Sequence, residues 1–181
     1  MKIYLKNWRE VTVKVRILGD PVLRKKAKEV TDFNEVKKIL EEFKTTMYTE
    51  DGVGLAAPQV GISLRFFAMD DGKGFKVVVN PQILEHSNEK EVGEEGCLSL
   101  PGVFADVERY KWIRVKYQTE NGDWKEELLE DYSARIFQHE YDHLDGVLFI
   151  DHLSANERKK IALELKRVME EYKKTKEGKE V

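Results

Sequence analysis

Two histidines and a glutamate in the run 138–144 have the types and spacing needed to bind a metal ion and activate water. His139 and His143 are four residues apart, so on a helix their side chains leave the same face about one turn from each other and can hold one ion. Glu140 lies beside the first histidine, where its carboxylate can act as a general base toward the activated water. The same pattern can also arise by chance on a charged helix, so the surrounding residues decide its meaning.

The residues around this motif predict the helix that positions it. Apolar side chains recur there at helical spacing, on two neighbouring faces: Tyr132, Ile136, Phe137, Tyr141 and Leu144. We expect Asp131 or Ser133 to cap the start of the helix, and Gly146 to end it in the left-handed conformation. A helix this apolar is expected to be buried, and buried histidines and carboxylates need partners, which a metal ion supplies.

A third ligand must come from elsewhere, because a catalytic metal has three protein ligands and one open position. The chain has a single cysteine, Cys97, which rules out an internal disulfide. Cys97 follows a glycine and two glutamates. A thiol beside carboxylates is a poor free nucleophile, whereas a metal holds it as a thiolate. These residues favour Cys97 as a ligand over Cys97 as a catalytic nucleophile.

The residues alone leave two alternatives open. A zinc endopeptidase of the HExxH type would take a downstream acidic ligand such as Glu157 or Glu164, although both lie on a predicted surface helix. A third histidine in the metzincin pattern would fall at Phe149, which cannot bind a metal. A non-enzymatic domain with a structural metal site would need a fourth protein ligand, and none is evident near these motifs.

Length and charge restrict the class of protein. At 181 residues with a formal charge of −3, the chain suits a single domain over 1–181 and has no net attraction to DNA or to an anionic membrane. No segment approaches the roughly 20 apolar residues of a membrane span, and the start lacks the apolar core of a signal peptide. We therefore expect a cytoplasmic protein, and a monomer. Charged residues make up 36% of the chain, a bias typical of thermophilic sources.

Apolar patterns and turn residues predict the remaining elements. Asp32 with Glu35 is expected to cap an N-terminal helix, and Ser154 with Glu157 a C-terminal one. Strands are predicted at 13–17, 64–69, 75–79, 82–86, 112–117, 124–129 and 147–150. Asn80 and Pro81 are expected to separate strand 75–79 from strand 82–86. Residues 1–12 form an N-terminal extension, and residues 173–181 form a charged tail.

Three segments together resemble the signature motifs of peptide deformylases, in the same order and at similar separations: 52–59 (GVGLAAPQ), 95–99 (EGCLS) and 138–144 (QHEYDHL). The similarity extends over about 17–153, whereas many members of that family lack an extension like 1–12. The resemblance implies an α+β fold in which antiparallel β-sheets surround a central metal-binding helix, with one helix near each end of the chain. It also implies removal of the formyl group from the N-formylmethionine of nascent polypeptides, as a co-translational step.

The resemblance further implies a role for each motif residue. Cys97, His139 and His143 would hold one ion, with Fe(II) the usual physiological metal and Zn(II), Ni(II) or Co(II) able to replace it. Glu140 would move protons as the general base. The Gln59 amide and the backbone N–H of Leu98 would stabilise the oxyanion.

Further positions match the family's substrate pocket and its supporting residues. The pocket for an unbranched methionine side chain would be lined by Val53, Gly54, Tyr132, Arg135 and Ile136. Glu95 and Arg109 match a pair that braces the cysteine segment.

Basic residues on the C-terminal helix raise one further hypothesis about partners. Outside its apolar stripe this helix carries Lys159, Lys160, Lys166, Arg167, Lys173 and Lys174. This face could contact ribosomal RNA, or it could be an ordinary solvated face, because glutamates are interleaved with the basic residues.

Overall fold

The computed structural model describes residues 13–178, so the extension 1–12 and residues 179–181 of the tail lie outside the described part of the chain. The helices are α1 (Phe33–Lys37), α2 (Leu40–Thr49), α3 (Asp131–Leu144), α4 (Ala155–Lys160) and α5 (Ala162–Glu177), with short 3₁₀ helices at Pro21–Arg24, Ala57–Val60 and Phe149–His152. The strands are β1 (Gly54–Ala56), β2 (Phe66–Met69), β3 (Lys76–His86), β4 (Lys90–Cys97), β5 (Leu100–Tyr110), β6 (Trp112–Gln118) and β7 (Trp124–Glu130). In the described residues no helix is both long and apolar enough to cross a membrane.

A five-stranded antiparallel sheet in the order β1-β2-β3-β6-β7 carries α3 on one face and α2 on the other. Alternation on β6 buries Ile113, Val115 and Tyr117 on the side of α3. Phe137 of α3 packs edge-on against Phe67 of β2, with ring centroids 5.1 Å apart. The predicted α+β fold with antiparallel sheets around a central helix is confirmed, and this helix is buried as its apolar pattern required.

The strands β4 and β5 form a separate two-stranded sheet that the apolar patterns did not predict. The hairpin turns at 98–99, so Cys97 stands at the end of its first strand. Leu100, Val103 and Val107 of β5 are buried in a third core cluster, together with Phe149 of the following 3₁₀ helix. The hairpin also packs against α3, and the end of its first strand brings Cys97 to the C-terminal part of that helix.

The end of α3 follows the prediction, but its start does not. Gly146 has φ +73, the left-handed conformation expected after the helix. At the other end Asp131 has φ +51, and the helix has no side-chain cap of its own. Instead the Ser133 hydroxyl donates a hydrogen bond to Asp71, from the turn between β2 and β3. The prediction that Asp131 or Ser133 caps the helix is wrong, because the Ser133 hydroxyl is engaged with Asp71 and Asp131 accepts no hydrogen bond from the first turn.

Two predicted strands are also absent. Residues 13–17 have no strand structure, because their backbone makes single hydrogen bonds, such as Arg16 N–H to the Gln59 carbonyl at 2.6 Å, rather than a ladder. The segment 147–150 enters a 3₁₀ helix, because the Asp151 carboxylate accepts a hydrogen bond from the Leu148 N–H at 2.9 Å. A side-chain contact of this kind competes with strand pairing.

Other predicted boundaries shift for identifiable reasons. The two strands predicted around Asn80 and Pro81 are one strand, β3, in which a bulge accommodates the proline. Both terminal helical segments are divided, at residues 38–39 and at Ile161. The predicted pair Ser154 and Glu157 caps α4 reciprocally, whereas Asp32 caps α1 by accepting from the Asn34 N–H and Glu35 makes no cap contact. Helix α5 continues to Glu177, so the first part of the charged tail is helical.

Gly146 provides a test of how the end of helix α3 is docked. A Cβ at this position would lie 2.6 Å from the carbonyl oxygen of Arg24, a backbone atom that cannot move away alone. We expect Gly146→Ala to lower the free energy of unfolding by about 2–3 kcal/mol, because backbone strain and overpacking add. The measurement is denaturant unfolding.

The matched control is Gly72→Ala. Gly72 also has a positive φ, of +99, but a Cβ there would meet nothing within 4 Å. This variant should lose only about 1 kcal/mol from strain. Equal losses in the two variants would show that the contact with Arg24 does not contribute.

Candidate metal centre

Cys97, His139 and His143 bring their ligand atoms together at the junction of β4 and α3. One ligand atom from each lies within 4.8 Å of the other two, and Cys97 Sγ is 3.3 Å from His143 Nε2. Both histidines are buried, and their rings are 5.1 Å apart at 69°. A thiolate and two imidazoles are a donor set suited to a divalent transition metal.

Glu95 orients the first histidine. His139 Nδ1 lies 2.8 Å from Glu95 Oε1, so the carboxylate accepts its N–H and leaves Nε2 available on the side of Cys97. Burial opposes ionisation of Glu95, but hydrogen bonds from Arg109 and His139 outweigh it and hold the pKa of Glu95 well below its usual range. The residue is therefore a carboxylate, as a partner of a metal-binding histidine should be.

The electrostatics of the two histidines fit a bound cation. Burial lowers the pKa of His139, but hydrogen bonds to Cys97 and Glu95 outweigh this effect and raise it well above the usual range. The negative charge around His139 thus favours a positive charge at this place, and a bound metal ion would take the position of that proton. Burial and the neighbouring His139 lower the pKa of His143 well below the usual range. His143 is therefore neutral, which is the form that binds metals.

Glu140 is a buried carboxylate without a hydrogen-bond partner on Oε2 among the described residues. It is 4% exposed, and its Oε1 lies 4.0 Å from His139 Nε2. Burial is the main cause that raises the pKa of Glu140 to about 7. Gly54 allows this placement, because a Cβ there would lie 2.7 Å from the carboxyl carbon of Glu140. A carboxyl group with such a pKa can both take and return a proton near neutral pH.

Gln59 directs an amide N–H toward the same place. Its Oε1 accepts a hydrogen bond from the Ala56 N–H at 2.8 Å, which fixes the orientation of the amide. Its Nε2 then lies 3.4 Å from Cys97 Sγ and 3.1 Å from Ser99 Oγ. Leu98 follows Cys97 in the turn of the β4–β5 hairpin. The segment 52–59, which is rich in glycine and alanine, thus contributes a buried hydrogen-bond donor in a fixed orientation.

A cavity of about 550 Å³ opens onto the centre. It is lined by all five predicted pocket residues, Val53, Gly54, Tyr132, Arg135 and Ile136, and by Gln59, Cys97, Leu98, His139 and Glu140. His143 does not line this cavity. The sequence reasoning missed Phe104, which also lines the cavity and is 59% exposed. No local pattern marks Phe104 as a pocket residue, because it lies on the exposed face of β5, opposite the buried Val103 and Val107.

Residues considered for other metal sites lie elsewhere. Glu157 caps α4, where its side chain accepts a hydrogen bond from the Ser154 N–H at 2.8 Å. Phe149, at the metzincin position, stacks near His139 with ring centroids 6.0 Å apart. Within residues 13–178 the ligand group has three members, whereas structural zinc sites have four protein ligands. Three protein ligands would leave a fourth position open, as in catalytic zinc sites.

Comparison with known proteins agrees with this geometry. Residues 12–159 match the model of a family described as polypeptide deformylase. The peptide deformylase of Thermotoga maritima is 60% identical over 146 residues, covering 80% of this chain and 89% of that protein. The peptide deformylase of Pseudothermotoga lettingae is 53% identical over 163 residues, covering 90% and 95%. The crystal structure of peptide deformylase from Thermus thermophilus superposes with a TM-score of 0.84 at 43% identity, covering 89% of this chain and 99% of that one.

Proposed function

The chain belongs to the peptide deformylase family, and from this we propose that Cys97, His139 and His143 hold its metal ion while Glu140 is its general base. It is a metal-dependent hydrolase that removes the formyl group from nascent peptides. The observation that supports the proposed roles is the convergence of three ligand atoms beside the unpartnered carboxylate of Glu140. Membership of this family excludes the alternative of a zinc endopeptidase.

A divalent ion held by Cys97, His139 and His143 would supply Lewis-acid chemistry, because it would polarise the formyl carbonyl and lower the pKa of water. Glu140 accepts the proton of the attacking water and later returns it to the leaving amine, as its pKa of about 7 permits. The Gln59 Nε2–H and the Leu98 backbone N–H donate to the oxyanion that develops on the formyl oxygen. Burial of Gln59, which is 1% exposed, strengthens that hydrogen bond relative to one in water.

We further propose N-formylmethionyl peptides as the substrate, with a monomeric enzyme acting in the cytoplasm, where chains emerge during translation. Ile136 is 4% exposed and lies on the face of α3 that carries Glu140, one turn earlier. Together with Val53, Tyr132 and the stem of Arg135 it offers an apolar wall to an unbranched side chain. Methionine fits such a wall because its unbranched chain adapts to irregular surfaces.

The decisive assay is hydrolysis of formyl-Met-Ala-Ser by enzyme purified without oxygen. The expected result is release of formate with the Met-Ala bond intact. Acetyl-Met-Ala-Ser serves as the control, because its larger acyl group tests selectivity for the formyl carbon. Cleavage of a peptide bond with no formate released would overturn the proposed substrate.

Gln59→Ala tests the proposed oxyanion donor. We expect kcat to fall roughly ten- to a thousandfold with little change in KM, because the hydrogen bond forms chiefly in the transition state. Ser99→Ala is the control, since Ser99 accepts a hydrogen bond from the same amide but donates none to the substrate in this scheme. An unchanged kcat for Gln59→Ala would remove Gln59 from the mechanism.

We propose Fe(II) as the physiological ion, as the motif resemblance implies, although Zn(II) is intrinsically favoured by a thiolate and two imidazoles. Iron beside a thiolate exposes the sulfur to oxidation by oxygen. We therefore expect the Fe(II) enzyme to lose activity in air as Cys97 is converted to sulfinic or sulfonic acid, while Ni(II) or Co(II) enzyme persists. Mass spectrometry measures the modification. Inactive enzyme with intact thiol and bound metal would exclude this cause.

A groove between α4 and α5 supports the proposal of ribosome contact. Four basic residues line it, and they are accompanied by a single acidic one: Arg158, Lys159, Lys166 and Lys173, with Glu170. Cosedimentation with ribosomes should weaken when Lys159, Lys166 and Lys173 are changed to glutamate, and its salt dependence should decrease. The same number of changes at Lys14, Lys125 and Lys176, outside the groove, is the control. If both sets of substitutions weaken cosedimentation equally, the attraction is nonspecific and the groove is not the contact site.

A further inference from the structure

The guanidinium of Arg135 crosses from α3 to the β4–β5 hairpin, where both of its terminal nitrogens donate hydrogen bonds. Its Nη1 donates to Glu95 Oε2 and to the Val107 carbonyl oxygen, both at 2.8 Å, and its Nη2 donates to the Glu91 carbonyl oxygen at 2.8 Å. The side chain is 13% exposed. Hydrogen bonds in a planar fork hold the group in one orientation. Arg135 is therefore more than an apolar stem on the pocket wall.

The carboxylate that Arg135 contacts is the one that orients His139. Glu95 accepts four hydrogen bonds, two from Arg109 at 2.9 Å, one from Arg135 at 2.8 Å and one from His139 at 2.8 Å. With both oxygens so engaged, the carboxylate cannot rotate without losing a charged contact. Its position sets the direction of the His139 ring.

Gly93 makes this crossing possible. A Cβ at this position would lie 2.9 Å from Arg135 Cζ and 3.0 Å from its Nε. The backbone of Gly93 lies outside the left-handed region, so alanine is not strained there by its own φ. The group in the way is the end of a flexible side chain. An alanine would displace the guanidinium rather than disrupt the strand.

We propose that Arg135 is a positioning residue for deformylation, which acts through Glu95 to hold His139 in the orientation that binds the metal ion. Arg135 and His139 are four residues apart on α3, and both reach the same carboxylate on β4. The helix, the hairpin and the ligand are thereby fixed relative to one another. The inference rests on the proposed function of the metal centre.

The first test is the affinity of Arg135→Met for Co(II), measured by competition with a chelator, together with the visible absorption of the Co(II) form. Loss of a residue that orients a ligand typically weakens metal binding about 10- to 100-fold. We expect a loss of Co(II) affinity near tenfold, because Arg109 still holds Glu95. We also expect the visible absorption bands of the Co(II) form to change. A role confined to the pocket wall would instead change KM alone, and that result would overturn the proposal.

The control is Arg65→Met. Arg65 is similarly buried, at 14% exposure, and donates to the Leu144 carbonyl oxygen and to Asp145 at the other end of α3. The Arg65→Met variant should lower the free energy of unfolding without weakening Co(II) binding. If Arg65→Met weakens Co(II) binding as much as Arg135→Met does, general docking of the helix explains the effect and the proposal fails.

Gly93→Ala provides a second way to displace the Arg135 guanidinium, and it keeps the positive charge of that side chain. It should weaken Co(II) binding in the wild-type background and have no further effect when combined with Arg135→Met, because both changes remove the same contact. Additive losses would overturn the proposal. Wild-type protein that binds Co(II) but releases no formate would count against the proposed function instead, and these affinities would still decide the role of Arg135.

Discussion

Replacing Glu140 by alanine should reduce kcat by about 10²- to 10⁴-fold while the protein still binds its metal ion. The magnitude is that of a lost general base. Metal binding persists because the carboxylate lies outside the three-membered ligand group. The measurements are steady-state formate release and elemental analysis of the purified variant.

Glu140 also carries a prediction about stability. Its Oε2 is buried without a partner among the described residues, and such a group is unfavourable for folding. Glu140→Gln should therefore keep or raise the Tm while it abolishes most turnover, and Glu140→Asp should keep part of the turnover. Loss of metal from Glu140→Ala would place the carboxylate among the ligands and contradict the assignment as base.

The second large effect is expected for Cys97→Ser, which should weaken metal binding on the order of 100-fold. Four-ligand zinc sites have apparent binding free energies of about 10–16 kcal/mol, so one ligand contributes roughly 3 kcal/mol. Serine is nearly isosteric but does not ionise as readily and is a harder donor. Competition with a chelator measures the affinity, and unfolding of the metal-free protein serves as the control for the fold.

The metal-free variant should unfold like the metal-free wild type, because Cys97 is only partly buried and its hydrogen-bond contacts with Gln59 and His143 lie within the centre. If Cys97→Ser binds zinc as tightly as the wild type, then the thiolate is not the third ligand. A variant that fails to fold is distinguished by its unfolding curve.

Local sequence determined the central part of the site. The spacing of His139 and His143, the run of apolar residues before them and Gly146 after them predicted a buried helix with both histidines on one face, and α3 has this form. The helix caps at Asp32 and Ser154 were also predicted from the local sequence. In each case the signal and the structure lie within a few residues, because helical hydrogen bonds and caps join near neighbours.

The supporting residues were decided only by the tertiary structure. Arg135 is 40 residues from Glu95, and Ser133 is 62 residues from Asp71. The pairing of β4 with β5, which presents Cys97 to α3, was not evident from the apolar pattern either. A local pattern specifies which face of an element is apolar, but it does not specify which distant side chain meets that face. That choice depends on strand register, turn geometry and the packing of elements against one another, and these are set when the whole chain folds.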